Sequence, residues 1–279
     1  MIRNEKKLID NKSVVYIYEL RRCFNLMKSK IKRNIRLALI IILSLVLCFS
    51  IYKVASYYYS AIKDKSAFDE LSDIVSKAEQ TQDTDGETTF TKYKPIFEQN
   101  SDTFGWIKIE GTVIDYPVMY TPNNAEYYLH RAFDKSYSQS GVPFLSADCF
   151  ENCGNYLIYG HHMKNGSMFA SILNYAKKDY YEQHKIIQFD TLYESAEYEV
   201  IAAFRSKAYA KGENGFKYYT YTDLTSEALF DEYIDNVKKS SLYDTGITAE
   251  YGDQLLTLST CAYHTTDGRF VVVARKITS

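Results

Sequence analysis

Cys261 closes the run TLSTC, and eight residues later Arg269 opens the run RFVVVARK. A thiol attacks a carbonyl carbon only as thiolate, a form that a nearby cation or imidazolium favours near neutral pH. Two alternating apolar runs joined by a short polar connection read as antiparallel strands. Such pairing brings the sulfur and the guanidinium to one end of a sheet. An imidazole is available from His161 or His162, which follow the strand-like run NYLIYG. Gly160 lets the chain turn there and present a ring suited to acid and base work. The plain alternatives are a buried cysteine packed as a small hydrophobe and a surface histidine with no chemical task.

Other uses of these residues fit less well. A zinc site from His161, Cys261 and His264 lacks a short-spaced ligand pair. A papain-like arrangement places its cysteine ahead of its histidine, and here the histidine comes first. Of the five cysteines, Cys23 and Cys48 precede the body of the domain, leaving Cys149, Cys153 and Cys261. An odd number leaves at least one free thiol. Cys149 and Cys153 either pair or stay reduced.

The elements that position these side chains begin near residue 100. Short runs with period-two patterning, GWIKI, VIDYPVM, VPFL, NYLIYG, KIIQFD and YEVIAAFRSKAY, precede the two final strands at 254–260 and 269–276. Between them, helix is expected at 167–180, with Met168, Phe169, Ile172 and Leu173 on one face. A second is expected at 226–239, presenting Leu229, Phe230, Tyr233 and Val237. Strands that do not alternate regularly with crossover helices indicate a closed or nearly closed β-barrel. No internal repeat, dinucleotide fingerprint or P-loop is present.

Upstream, residues 60–100 read as helical, with Phe68, Leu71, Ile74 and Val75 near helical spacing, the polar stretch QTQDTDGETT, and a short second helix around 93–99. The net charge of −2 conceals a split: residues 1–36 carry eleven Lys or Arg against three acids. The basic block is followed by LALIIILSLVLCFSIY, sixteen residues without a charge, and then by Tyr57, Tyr58 and Tyr59. This pattern fits a single membrane-spanning signal anchor over 37–59 with an aromatic belt. A cleaved signal peptide has a shorter basic region and a small-residue cleavage site, and a buried core helix is the remaining alternative. The positive-inside rule keeps the basic tail 1–36 in the cytoplasm and sends residues from 60 onward outside. The tail is thus read as a membrane flank and not as a nucleic-acid patch.

TLSTC at a strand end, YGHH a hundred residues earlier and an arginine opening the last strand together resemble the sortases, the cysteine transpeptidases of Gram-positive cell surfaces. Within that family GWIKIEGTVIDYPVM, YYLHRAF, GVPFL and YGHHMKNGSMF resemble class B, over about Asp102 to Ile277. The resemblance implies an eight-stranded barrel, occupying 101–279, with added N-terminal helices and a helix in the loop before the cysteine strand. It implies Cys261 as nucleophile, His161 as acid and base, and Arg269 as holder of the oxyanion or substrate backbone, with His162 one residue off the motif. Leu129, Tyr219 and Ser259 are the implied substrate contacts. Ala262 departs from the acidic residue that many class B members carry after the cysteine. The implied partners are secreted proteins bearing a sorting motif and an amine of peptidoglycan or its lipid-linked precursor. No metal or organic cofactor is implied. A tethered, non-catalytic binder of peptide or wall component is the alternative function, and a hydrolase differs only in whether water or an amine resolves the thioester.

Overall fold

The computed structural model describes residues 2–80, 89–150 and 153–277. The chain divides into two compact units, 1–59 and 60–279. Helix α1 runs Ile2–Gln80. Its stretch Tyr18–Glu79 contains a window of mean hydropathy 2.5 with none of it buried, making it the one described helix long and apolar enough to cross a membrane. Leu39, Ile40, Leu43 and Leu47 all expose their side chains, as a lipid-facing helix would. Most of the polar stretch after α1 lies outside the described residues.

In the second unit the end of α1 buries Phe68, Leu71 and Val75, and Ile74 is only half-buried. Helix α2, Thr89–Gln99, starts earlier than its periodicity suggests and carries Pro95 inside it. Eight strands follow: β1 Thr103–Lys108, β2 Asp115–Met119, β3 Phe144–Leu145, β4 Asn155–Tyr159, β5 Ile186–Thr191, β6 Glu197–Lys207, β7 Leu255–Cys261 and β8 Gly268–Lys276. They close into a barrel in the order β1-β2-β3-β4-β7-β8-β6-β5. The β2–β3 and β4–β7 pairs are parallel and the rest antiparallel, so the barrel expected from the sequence is a mixed one.

The expected helix at 167–180 is instead a 3₁₀ run, Phe169–Ala176, followed by helix α3, Lys178–Gln183. Met168 has φ 57° and ψ −133°, a conformation that prevents an α-helix from starting upstream of it. Phe169 and Ile172 are buried as the apolar pattern requires. Helix α4, Glu227–Ser240, buries Phe230, Tyr233, Ile234 and Val237, with Glu227 in its first turn and Lys238 and Lys239 in its last. These charges complement the helix dipole. Leu229 is 45% exposed, outside the buried stripe to which the pattern assigned it.

Strand β7 is covered on both sides, and every residue from Leu255 to Thr260 is buried. One face carries Leu256 and Leu258. The other carries Thr257 and Ser259, whose hydroxyls meet Tyr233 at 2.8 Å and Tyr218 at 2.7 Å. Thr257 also donates to Asn155 Oδ1 at 2.8 Å, and Asn155 Nδ2 donates to the Tyr221 carbonyl. A buried hydroxyl costs free energy unless it finds a partner. These bonds therefore tie the cysteine-bearing strand to β4 and to the β6–β7 connection behind it.

Candidate active site

Three adjacent strands bring the predicted residues to one rim. In the β7–β8 ladder Cys261 is paired directly with Arg269, and side chains of opposed antiparallel residues leave the sheet on the same face. The β4–β7 register runs Asn155↔Leu255 to Tyr159↔Ser259. His161 lies two residues beyond Tyr159, as Cys261 lies two residues beyond its register partner Ser259. Gly160 N–H donates to the Ser259 carbonyl at 3.1 Å, and Thr260 Oγ1 donates to the Gly160 carbonyl at 2.6 Å. These bonds hold the two chain segments together just before His161 and Cys261.

Glycines at both corners act through close approach. Gly160 is not in the left-handed region; a Cβ there would lie 2.6 Å from the Phe169 ring. The turn-making role expected of it is replaced by a packing role. Phe169, fully buried, donates its N–H to the His161 carbonyl at 2.9 Å, so the ring that requires Gly160 also fixes the backbone of His161. At the other corner a Cβ on Gly268 would lie 2.1 Å from the Ala262 carbonyl oxygen. The Ala262 N–H donates to the Gly268 carbonyl at 2.9 Å, closing the hairpin that opposes Cys261 to Arg269.

His161 is half-buried, and its Nε2 lies 2.8 Å from the Leu129 carbonyl. A carbonyl only accepts, so this contact fixes the Nε2–H form and leaves Nδ1 as the nitrogen free to exchange a proton. Burial pushes the His161 pKa below the ordinary histidine range. The Leu129 carbonyl opposes that shift, and charge on His130, whose ring stacks at 5.4 Å, adds to it. His130 in turn stacks on the exposed Tyr137. His162 instead brings Nδ1 to 3.1 Å from the Cys261 carbonyl and tilts against Tyr263.

Cys261 is half-exposed and unpaired, whereas Ser259, two residues earlier, is fully buried. Arg269 Nη1 donates to the carbonyls of Asp267 at 3.2 Å and Gly268 at 3.1 Å. Burial raises the Tyr218 pKa to about 12; its bond to Ser259 and the Arg269 charge lower it, and Cys261 raises it. The Tyr218 hydroxyl thus lies within the fields of both the thiol and the guanidinium.

The other implied contacts divide. Leu129 is half-buried and enters the rim through its carbonyl, and Ser259 supports it from below through Tyr218. Tyr219 accepts the Tyr209 N–H at 3.1 Å on the β6–β7 connection; its neighbour Tyr218 is the residue that reaches β7, at Ser259. Nothing in the sequence singles out Tyr218, and His130 is there only one of three further histidines. The YY pair at 218–219 was visible, but the choice between its members depends on a 3₁₀ turn, Tyr218–Thr220. The HRAF run gave no sign that His130 would stack on His161.

A closed mixed barrel whose rim opposes a half-exposed thiol to a guanidinium, with a partly desolvated imidazole just past the end of the next strand, belongs to a thiol-dependent acyl-transfer enzyme. The family model for the sortase domain matches residues 107–277, and the chain belongs to the sortase family of cysteine transpeptidases. It is 28% identical to sortase B of Staphylococcus aureus over 252 residues, spanning 89% of this chain and 98% of that one. It is also 28% identical to sortase B of Listeria monocytogenes over 256 residues, spanning 89% and 99%. A solved Staphylococcus aureus sortase B–substrate complex superposes with a TM-score of 0.70 at 27% identity, covering 79% of this chain and 99% of that one. The likeness to class B thus rests on both sequence and fold.

Proposed function

We propose that this enzyme cleaves a C-terminal sorting motif of secreted proteins and joins the new carboxyl end, through a thioester on Cys261, to an amine of peptidoglycan or its lipid-linked precursor. The Cys261 thiolate attacks the scissile carbonyl. Arg269 and a backbone amide hold the tetrahedral oxyanion, and His161 protonates the leaving amine. The His161 imidazole then takes a proton from the incoming amine, which attacks the thioester and releases the joined product. A guanidinium has five N–H donors, so the Nη1 contacts to the turn orient Arg269 while other donors remain for substrate oxygen. Leu129, Tyr219 and Ser259 are assigned to the substrate groove, Ser259 acting through its bond to Tyr218.

The observation that carries this reading is the direct Cys261↔Arg269 pair, with His161 two residues past the end of the neighbouring strand β4. We assign residues 1–36 to a cytoplasmic tail, 37–59 to the membrane span, 60–100 to helices outside the membrane and 101–279 to the catalytic barrel. Tethering at the outer face raises the effective concentration of both exported and wall substrates.

The test incubates the full chain in detergent with peptides carrying candidate sorting motifs, with and without added amine, and identifies products by mass. Joined product that appears only with amine supports transpeptidation. Cleaved peptide of equal amount in both arms identifies a hydrolase. No turnover, with a Cys261 thiol that reacts with a maleimide only after denaturation, identifies the non-catalytic binder.

A further inference from the structure

The transfer reaction leaves two buried thiols unused. Cys149 and Cys153 are 1% and 0% exposed. Consecutive turns, closed by Cys149 N–H to Ser146 O and Cys153 N–H to Phe150 O, both at 3.0 Å, aim the two side chains at one point. Cys149 Sγ lies 3.4 Å and Cys153 Sγ 3.3 Å from the same acceptor, the Asn155 carbonyl. Cys149 Sγ also accepts the Leu157 N–H at 3.4 Å. Two sulfurs that share one acceptor oxygen at 3.4 and 3.3 Å are neighbours in one buried spot, which is where a disulfide could close.

The geometry points to Cys149 and Cys153 as a disulfide-forming pair that staples the entry to β4 in the exported domain. The inference goes beyond the transpeptidase reading and shares with it only the placement of this domain outside the cell, where disulfides persist. In formation, the thiolate of one cysteine attacks an external disulfide, R–S–S–R, giving a mixed disulfide and one R–S⁻. The second cysteine, as thiolate, then displaces the other R–S⁻. The two protons lost from the cysteines neutralise these leaving groups, so two protein thiols and one disulfide become one protein disulfide and two R–SH. Burial of both sulfurs places this exchange during folding, before β4 docks.

The position gives the bond a structural consequence. Asn155, whose carbonyl receives both thiols, carries the side-chain bonds to Thr257 and Tyr221. Gln254, the residue before β7, donates to the Cys153 carbonyl at 2.5 Å. The staple therefore anchors the buried end of the β4–β7 pair, at the opposite end of β7 from Cys261.

The test uses the full chain in intact cells that export it. A membrane-impermeant maleimide is applied first, N-ethylmaleimide under denaturing conditions without reductant second, and iodoacetamide after reduction third. Trypsin releases both cysteines in the peptide 136–164 and Cys261 in 240–269. The proposal expects two iodoacetamide labels on 136–164, and the same result in Cys261→Ala, which excludes exchange with the reactive thiol. N-ethylmaleimide on both cysteines of 136–164, or loss of the bond in Cys261→Ala, overturns it. Labelling of Cys261 by the impermeant reagent reports the placement separately, so failure of the disulfide and failure of the topology are distinguishable.

Discussion

Cys261 and the pair Cys149 and Cys153 sit near opposite ends of the same parallel strand pair, and their surroundings differ in every respect that governs thiol chemistry. Cys261 is half-exposed and opposed to a cation in the next strand, and its carbonyl lies 3.1 Å from His162 Nδ1. Cys149 and Cys153 are sealed in the interior, sharing the Asn155 carbonyl, with the Leu157 N–H also donating to Cys149 Sγ. The neighbouring Cys153 thiol, and then burial, push the Cys149 thiol up, away from the thiolate form. Exposure here follows position along the sheet: where the ladder ends, polar groups can face solvent. Inside the barrel a polar group must be satisfied by protein atoms.

Removing what distinguishes the rim should break this contrast, and the largest effect is expected at the cation. Arg269→Ala should lower kcat by about 10²-fold or more, as loss of an oxyanion donor does. Arg269→Lys should rescue poorly, because lysine lacks the planar fork. Steady-state kinetics with a sorting peptide and an amine would show both. Near-normal turnover in Arg269→Ala would remove Arg269 from the mechanism.

Gly268→Ala should separate the Cys261 and Arg269 pair without touching either side chain. Its Cβ must displace the Ala262 carbonyl, which is backbone and cannot rotate away. Misplacement on the order of 1 Å costs about 10²-fold in rate, so kcat should fall by up to that factor in protein that is still folded by circular dichroism.

Ser259→Ala sharpens the comparison from beneath. It strips the Tyr218 hydroxyl of its 2.7 Å partner, and an unsatisfied buried hydroxyl costs about 1–3 kcal/mol. Chemical denaturation should register that loss, and Ser259→Ala/Tyr218→Phe should recover part of it because both polar partners are then gone.

The smallest effect is expected at His130. Burial, and then charge on His130, hold the His161 pKa down, so His161 gains its proton at lower pH than a free histidine. His130→Ala removes the like charge and should move the limb of kcat/KM that reports His161 toward higher pH. A shift toward lower pH would contradict the sign.

Much of the rim was legible in the sequence because it lies in ladders whose register is fixed by continuous apolar patterning. TLSTC and RFVVVARK specify their own pairing, and NYLIYG lies beside the first of them. The strand ends could also be read to within one or two residues. What escaped was set by contacts between distant segments. Gly160 was read as a turn residue because its sequence neighbours suggest one, whereas the Phe169 ring that excludes a Cβ comes from a loop folding back. The helix expected at 167–180 kept its apolar face and lost its type, because the unusual backbone of Met168 is imposed by the tertiary setting, in which its N–H donates to the Tyr116 hydroxyl. The exposure of Leu229 likewise depends on how α4 docks, which periodicity alone does not specify.

The most direct test of the central claim is to trap the acyl group. Mixing the full chain with a sorting-motif peptide without amine, quenching in acid and measuring intact mass should show an adduct equal to the N-terminal fragment of the peptide. It should map to Cys261, be released by hydroxylamine and be absent in Cys261→Ala. Cleavage that persists in Cys261→Ala, or an adduct mapped to any other residue, would contradict the account.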